Sequence, residues 1–265
     1  MGLTAALAGK QRLDVAVVGQ GIAETRSRAK ALILAGDVLV NGAPVRQAGA
    51  LVQGHDALAL RARPRFVGRG GEKLAHALDA LAVSPRGLDC LDVGASTGGF
   101  SDVLLQRGAK RVIALDVGYG QLHPRIRGDD RVTVLERVNA RQLPELPYAP
   151  VLITCDVSFI SAVRVLRPAI ARATPDWQAL VLVKPQFEAG RADAPKGVVR
   201  DPDVHRHVLR TFCWEVAEWS ARVAGIVDSG HPGPKGNREF VVHLIASETP
   251  TEPDEIERRI QHAVG

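Results

Sequence analysis

From residue 72 onward the chain alternates short apolar runs with helical stretches, and that texture leaves few folds open. Apolar runs over 90–93, 112–116, 132–135, 151–156, 179–184, 223–227 and 240–245 read as seven strands. Between them, 72–81, 100–106, 162–173 and a stretch from 203 to about 220 carry helical patterning, and 185–203 reads as a long loop. Strands separated by helices cross over into parallel neighbours, and the helices then cover both sheet faces. The expectation is an α/β architecture with a mostly parallel seven-stranded sheet. The tail, 254–264, reads as a further helix with Ile256, Ile260 and Ala263 on one face.

The first quarter has another texture. Residues 11–18 read as a short helix. Thr25 can cap a second over 26–35, which Gly36 stops. Val38–Val40, the Asn41-Gly42 pair and 44–45 read as two strands about a tight turn, with a last strand at 58–60. A basic joint bearing Pro and Gly follows, including Arg63, Arg65 and Arg69. The boundaries expected are an N-terminal α+β unit over 1–62, a linker over 63–71 and a larger domain over 72–265.

Charge separates the same two parts. Residues 1–70 hold ten bases and four acids, and the rest of the chain 24 bases and 25 acids, so the net +5 comes from the first quarter. Such asymmetry points to an anionic partner, nucleic acid or an acidic membrane surface. The three cysteines are odd in number and far apart, which excludes a disulfide framework as the main stabiliser and favours the cytoplasm. No run approaches the ~18–20 apolar residues of a membrane span. Residues 1–14 are too weakly apolar for a signal peptide, and Ala6 stands where a myristoylation signal after Gly2 has Ser or Thr.

The strand ending Cys90-Leu-Asp92-Val breaks into Gly94-Ala95-Ser96-Thr-Gly98-Gly99 before a helix. Glycines there let the backbone turn sharply and approach a ligand at the strand's carboxyl end. Ser96 stands where a dinucleotide fingerprint has its second glycine, and no Gly-Lys-Ser/Thr follows as in a phosphate-binding loop. Asp116 ends the next strand, about 20 residues on, where a carboxylate can accept ribose hydroxyls. These features alone leave a dinucleotide and S-adenosylmethionine both open.

Four charges could do chemistry. Asp156 and Lys184 end apolar strands, Lys73 opens the first helix of the larger domain, and Glu239 precedes the last strand. Open α/β sites lie at the carboxyl edge of the sheet. Together the four suit methylation of a ribose hydroxyl. Lysines stabilise a developing alkoxide, and crowded lysines lower each other's proton affinity enough for one to act as base. Carboxylates hold the two ammonium groups together. No metal-ligand cluster is present, and no metal is expected.

At these residues the chain resembles the TlyA (hemolysin A-like) ribosomal RNA 2′-O-methyltransferases nearly end to end. The stretch around Arg12-Leu-Asp14, Thr25-Arg26-Ser-Arg28-Ala-Lys30 and Val38-Leu-Val-Asn-Gly42 is similar to an S4 RNA-binding domain. Arg69-Gly-Gly-Glu-Lys73, Leu91–Phe100, Asp116–Leu122, Asp156–Ser161, Val183–Glu188 and Gly236–Glu239 match the family's blocks in order. Glu72 and Arg65-Phe66-Val67 depart from its pattern around the linker. The resemblance implies a Rossmann-like, FtsJ-like methyltransferase domain with a catalytic tetrad on Lys73, Asp156, Lys184 and Glu239. It implies S-adenosylmethionine held by Asp92, Gly94, Ala95, Ser96, Gly98, Asp116 and Asn139, and RNA contacts from Arg12, Arg26, Arg28, Lys30, Arg65 and Arg69. The implied partners are ribosomal RNA and ribosomal subunits; a cytoplasmic monomer without membrane contact is expected. The family has a form that modifies the large subunit alone and a longer one that modifies a cytidine in each subunit. The residues before Arg12 and the helical tail point to the dual form.

Two other functions fit the sequence less well. A membrane-active hemolysin using the basic N-terminal unit would need a signal, a long apolar span or an amphipathic hairpin, and the sequence has none. A dinucleotide-dependent oxidoreductase fits poorly with Ser96 and with the strand end at Lys184-Pro185.

Overall fold

The computed structural model describes residues 9–61, 64–190 and 193–265, so the expectations for residues 1–8 and for Arg63 fall outside the described residues. Two compact units emerge, Met1–Pro64 and Arg65–Gly265.

The smaller unit runs β1 (Gln11–Arg12), α1 (Leu13–Gly19), α2 (Arg26–Ala35), β2 (Val38–Val40), β3 (Ala43–Pro44), β4 (Leu51–Val52) and β5 (Leu58–Leu60). Thr25 Oγ accepts the Arg28 N–H at 3.2 Å and so caps α2, and Gly36, at φ 79°, ends it. Asn41 and Gly42 both take positive φ, which turns β2 back onto β3; β5 pairs on the other side of β2. The helix expected over 11–18 loses its start, because Gln11 and Arg12 pair with Val52 and Leu51 instead. That pairing partner lies about 40 residues away, beyond any local periodicity. Leu13, Val17, Ala29, Ile33 and Val38 form the core. Beside it the Asp14 carboxylate lies wholly out of solvent. Arg12 and Arg26 pair with it at 3.0 and 2.9 Å and hold its carboxyl down at about 2.

The larger unit runs α3 (Gly70–Ala80), β6 (Asp89–Val93), α4 (Gly99–Gln106), β7 (Arg111–Asp116), α5 (Pro124–Arg127), β8 (Val132–Glu136), β9 (Leu152–Cys155), α6 (Val163–Ile170), β10 (Gln178–Val183), α7 (Pro185–Glu188), α8 (Pro202–Ala217), β11 (Ala221–Asp228), β12 (Phe240–Ala246) and α9 (Pro253–Val264). Its sheet has seven strands in the order β11-β12-β10-β9-β6-β7-β8. β6 through β10 pair in parallel, and β12 runs antiparallel between β10 and β11. Central strands such as Gln178–Val183 are buried on both faces, which is why they read as unbroken apolar runs. One core lies on each side of the sheet, and α9 inserts Ile256 and Ile260 into one of them.

Two expected irregular stretches are ordered. Residues 65–71 are packed: Phe66 is buried, Val67 N–H donates to Asp102 at 2.9 Å, and α3 starts at Gly70 rather than 72. The long loop after β10 contains the single turn α7, and Asp201 caps α8 through the Asp203 N–H. The three cysteines are buried and unpaired, and burial pushes the Cys90 and Cys213 thiols up to about 12.

Candidate active site

The chain leaves β6 toward β7 and β8, then returns to lay β9 on the other flank of β6. This reversal opens a crevice at the carboxyl ends of β6 and β9, the usual ligand position in such sheets. Two adjoining clefts occupy it. One, of about 510 Å³, is lined by Gly94, Ser96, Asp116 and Asn139. The other, of about 390 Å³, is lined by Lys73, Lys184, Glu239 and Arg69. Gly94, Ser96, Asp156 and Ser158 belong to both.

The first cleft is built by backbone that only small residues permit. Gly94 takes φ 84°, and a side chain there would overlap the Asp156 carbonyl oxygen. Gly98 takes φ 90°, with Leu122 and Ile126 packed where a Cβ would sit. Asp116 Oδ2 accepts the Ser96 N–H at 2.7 Å and its Oδ1 the Gly118 N–H at 2.6 Å. Each carboxylate oxygen keeps further acceptor capacity toward the cleft. Asn139 caps the turn Ala140–Gln142 by accepting the Arg141 N–H, and so stands at the cleft wall.

Asp92, expected at the cofactor, lines neither cleft. Asp92 is fully buried beneath the loop and accepts from Ser101 N, Ser101 Oγ and Thr154 Oγ1. Burial pushes its carboxyl up to about 7 against those hydrogen bonds. It shapes the loop from below, joining β6, α4 and β9. Ala95 is largely buried in the core, its N–H donates to Leu115 O, and it lines the second cleft.

The second cleft holds two ion pairs. Lys73 Nζ lies 2.5 Å from Glu239 Oε2, and Lys184 Nζ lies 2.5 Å from Asp156 Oδ1. Glu239 is fully buried, and the two lysine side chains are about nine-tenths buried. Four residues far apart in sequence thus meet as two neutral pairs where the clefts join. A buried charge needs such a partner, since losing one leaves the other uncompensated.

Several neighbours sit within Asp156–Ser161 and Val183–Glu188, yet the sequence assigned them no role. Ser158 Oγ accepts from Lys184 Nζ at 3.0 Å, and Gln186 Nε2 donates to Glu239 Oε1 at 2.8 Å. Glu188 accepts the Ala162 N–H at 2.8 Å, tying α7 to the loop after Asp156. Phe159, at φ 66° and 90% exposed, stands at the rim with its ring 5.0 Å from that of Phe187. A strained, exposed aromatic was the detectable signal, and the sequence cannot display φ.

Of the expected RNA contacts, Arg28 and Lys30 are exposed on α2, and Arg12 and Arg26 are half-exposed but clipped to Asp14. Arg65 and Arg69 are exposed at the start of the larger unit; Arg69 lines the second cleft. Among the described residues, no helix is long and apolar enough to cross a membrane, and no three His, Cys, Asp or Glu converge as metal ligands.

Comparison with known proteins agrees with this architecture. The FtsJ-like methyltransferase family matches residues 66–246, and the S4 domain family matches residues 11–58. The 16S/23S rRNA (cytidine-2′-O)-methyltransferase TlyA of Mycobacterium tuberculosis is 42% identical over 90% of this chain and 91% of its own length. Hemolysin A of Brachyspira hyodysenteriae is 38% identical over 88% of this chain and 99% of its own. A solved structure from Streptococcus thermophilus, described as a candidate hemolysin, superposes with a TM-score of 0.73 at 37% identity, covering 97% of this chain and 96% of that one. With a lysine–carboxylate tetrad lining one of two adjoining clefts and these matches along nearly its whole length, the chain belongs to the FtsJ-like methyltransferases, in the S4-bearing group that includes the TlyA enzymes.

Proposed function

We propose that this protein transfers a methyl group from S-adenosylmethionine to the 2′-oxygen of cytidine in ribosomal RNA, and does so in both subunits. The observation that carries the reading is the pair of lysine–carboxylate contacts at the junction of two clefts. Asp116 and Asn139 suit the ribose and base of a nucleoside, and the backbone at Gly94 leaves room beside Asp156. When bound, S-adenosylmethionine supplies a methyl group on a sulfonium whose departure leaves a neutral thioether.

The chain's own residues then have defined tasks. Lys184, held by Asp156 and Ser158, faces the acceptor 2′-hydroxyl and stabilises the charge that grows on oxygen as its proton leaves. Lys73, fixed by Glu239, adds a second cation. The acceptor hydroxyl would give up its proton to solvent while both ammonium groups stay charged and offset the negative charge growing on its oxygen. Phe159 offers an exposed ring on which an unstacked base can lie. The work is placed in the cytoplasm, with the ribosomal subunits.

The choice of both subunits draws on the relatives. The Mycobacterium enzyme, whose name covers 16S and 23S RNA, is 42% identical, whereas the Campylobacter jejuni enzyme, named for 23S alone, is 32% identical over 68% of this chain. Incubation with isolated 30S and 50S subunits, followed by primer extension at low deoxynucleotide concentration, is expected to show one new 2′-O-methyl stop in each RNA. Stops confined to 23S RNA would refute the dual claim.

RNA is held by charge in this reading. Among the described residues, Arg28 and Lys30 have no ion-pair partner to give up, unlike Arg12 and Arg26 on Asp14. Arg28→Ala combined with Lys30→Ala is expected to weaken RNA binding and flatten the log–log salt dependence by about 1.5, at ~0.7–0.9 per phosphate contact. A salt slope equal to wild type in filter-binding titrations would remove α2 from the RNA-binding face.

A further inference from the structure

Glu239 is a fully buried carboxylate with both oxygens in use. Oε2 meets Lys73, and Oε1 accepts Gln186 Nε2 at 2.8 Å. Gly233 packs so closely on that carboxylate that any side chain there would overlap Oε1. The Gln186 amide is therefore the donor that decides how the carboxylate is turned. Its own oxygen is buried with no hydrogen-bond partner among the described residues, so the amide gives up one hydrogen bond to make the other. Gln186 stands two residues after Lys184, on the turn α7 that leaves β10. One short segment thus supplies the lysine of one ion pair and the clamp on the carboxylate of the other.

We infer that Gln186 is a positioning residue for methyl transfer: by donating to Glu239 it fixes that carboxylate on Lys73 and so aims the Lys73 ammonium into the acceptor cleft. The inference rests on the proposed ribose methylation and extends it to a residue outside the cleft. The charged groups facing this point are Lys73 from α3, Asp156 after β9, Lys184 after β10 and Glu239 before β12. Glu188, on the same turn as Gln186, is directed to the Ala162 N–H instead.

Substitutions of equal size separate donation from packing. Gln186→Met removes the donor, and single-turnover methyl transfer is expected to fall about 10–100-fold with S-adenosylmethionine affinity unchanged. Gln186→Glu sets two carboxylates face to face, where they share one proton. While that proton is held, the new carboxyl group donates to Glu239; once it is lost, the two repel. The transfer rate and melting temperature of Gln186→Glu, each taken relative to wild type, should therefore fall as pH rises from about 5 to 9. The same ratios for Gln186→Met should stay level. The exchanged pair Gln186→Glu with Glu239→Gln restores one donor against one acceptor but takes the carboxylate from the buried Lys73 ammonium, so neither full stability nor transfer should return.

Packing alone would lower the rate evenly across pH in both single variants, and that result overturns the inference. So does a swapped pair that regains both stability and transfer. If the melts behave as expected but the wild-type chain methylates no ribosomal RNA, the functional reading fails and takes this role with it. If wild type methylates and Gln186→Glu shows no pH-dependent loss, the role of Gln186 alone fails.

Discussion

Lys184→Ala is expected to lower single-turnover methyl transfer by ~10²–10³-fold, the usual effect of removing one preorganised group that faces developing charge. S-adenosylmethionine affinity should stay within about threefold of wild type, since the cofactor loop lies on β6 and the lysine on β10. The competing account is that Lys184 merely neutralises Asp156, 2.5 Å away, and that substrate positioning supplies the rate. Lys184→Ala together with Asp156→Ala separates the two, because neutralisation then has nothing left to neutralise. A double variant still slow by ~10²-fold or more supports a direct role for the lysine. Lys184→Arg adds a further distinction: guanidinium keeps its proton at any usable pH, so it can stabilise an alkoxide but cannot take the hydroxyl proton. A Lys184→Ala enzyme within about threefold of wild-type rate would exclude Lys184 from catalysis.

Gly94→Ala should abolish detectable S-adenosylmethionine binding. The residue sits at φ 84°, where an L side chain costs roughly 1–2 kcal/mol. A methyl group there also overlaps the Asp156 carbonyl oxygen, so the loop must move away from β9. That movement displaces Ser96, whose N–H holds Asp116, and so disturbs the loop and the acidic strand end together. Calorimetric titration is expected to show at least ~100-fold weaker binding, with the thermal midpoint lowered by a few degrees, in line with the strain. Unchanged affinity would place the cofactor elsewhere. Asp92→Asn offers a milder comparison. It leaves Ser101 and Thr154 with a neutral partner, and it should weaken binding only through the loop, because the side chain never reaches the cleft.

Much of this molecule was legible before its structure. The seven strands read as apolar runs because a sheet buried on both faces selects Val, Ile, Leu and Ala, as over Ala179 to Val183. Thr25, Gly36 and Asn41-Gly42 announced their caps and turn because those functions depend on the residue's own backbone and side chain. The strand ends at Asp116, Asp156 and Lys184 stood out as charges closing apolar runs. What escaped the sequence was whatever depends on a distant partner. The β1–β4 pairing cannot be seen from Gln11 and Arg12 alone. Asp92 by its place in the chain is a ligand-facing carboxylate, and only the fold closes Ser101 and Thr154 around it.

The sequence by itself therefore determined the seven strands of the larger sheet, the longer helices between them, and the chemical types gathered at the sheet's carboxyl edge. Periodicity, capping and turn preference are local interactions, and a neighbour or two suffices to express them. The tertiary structure alone decided that Lys73 pairs with Glu239 across 166 positions, that Gln186 clamps the same carboxylate, and that Phe159 is exposed at the rim. Ion-pair choice, burial and side-chain direction are set by what packs on the other side. That is fixed only when the sheet reverses between β6 and β9 and brings the strand ends together.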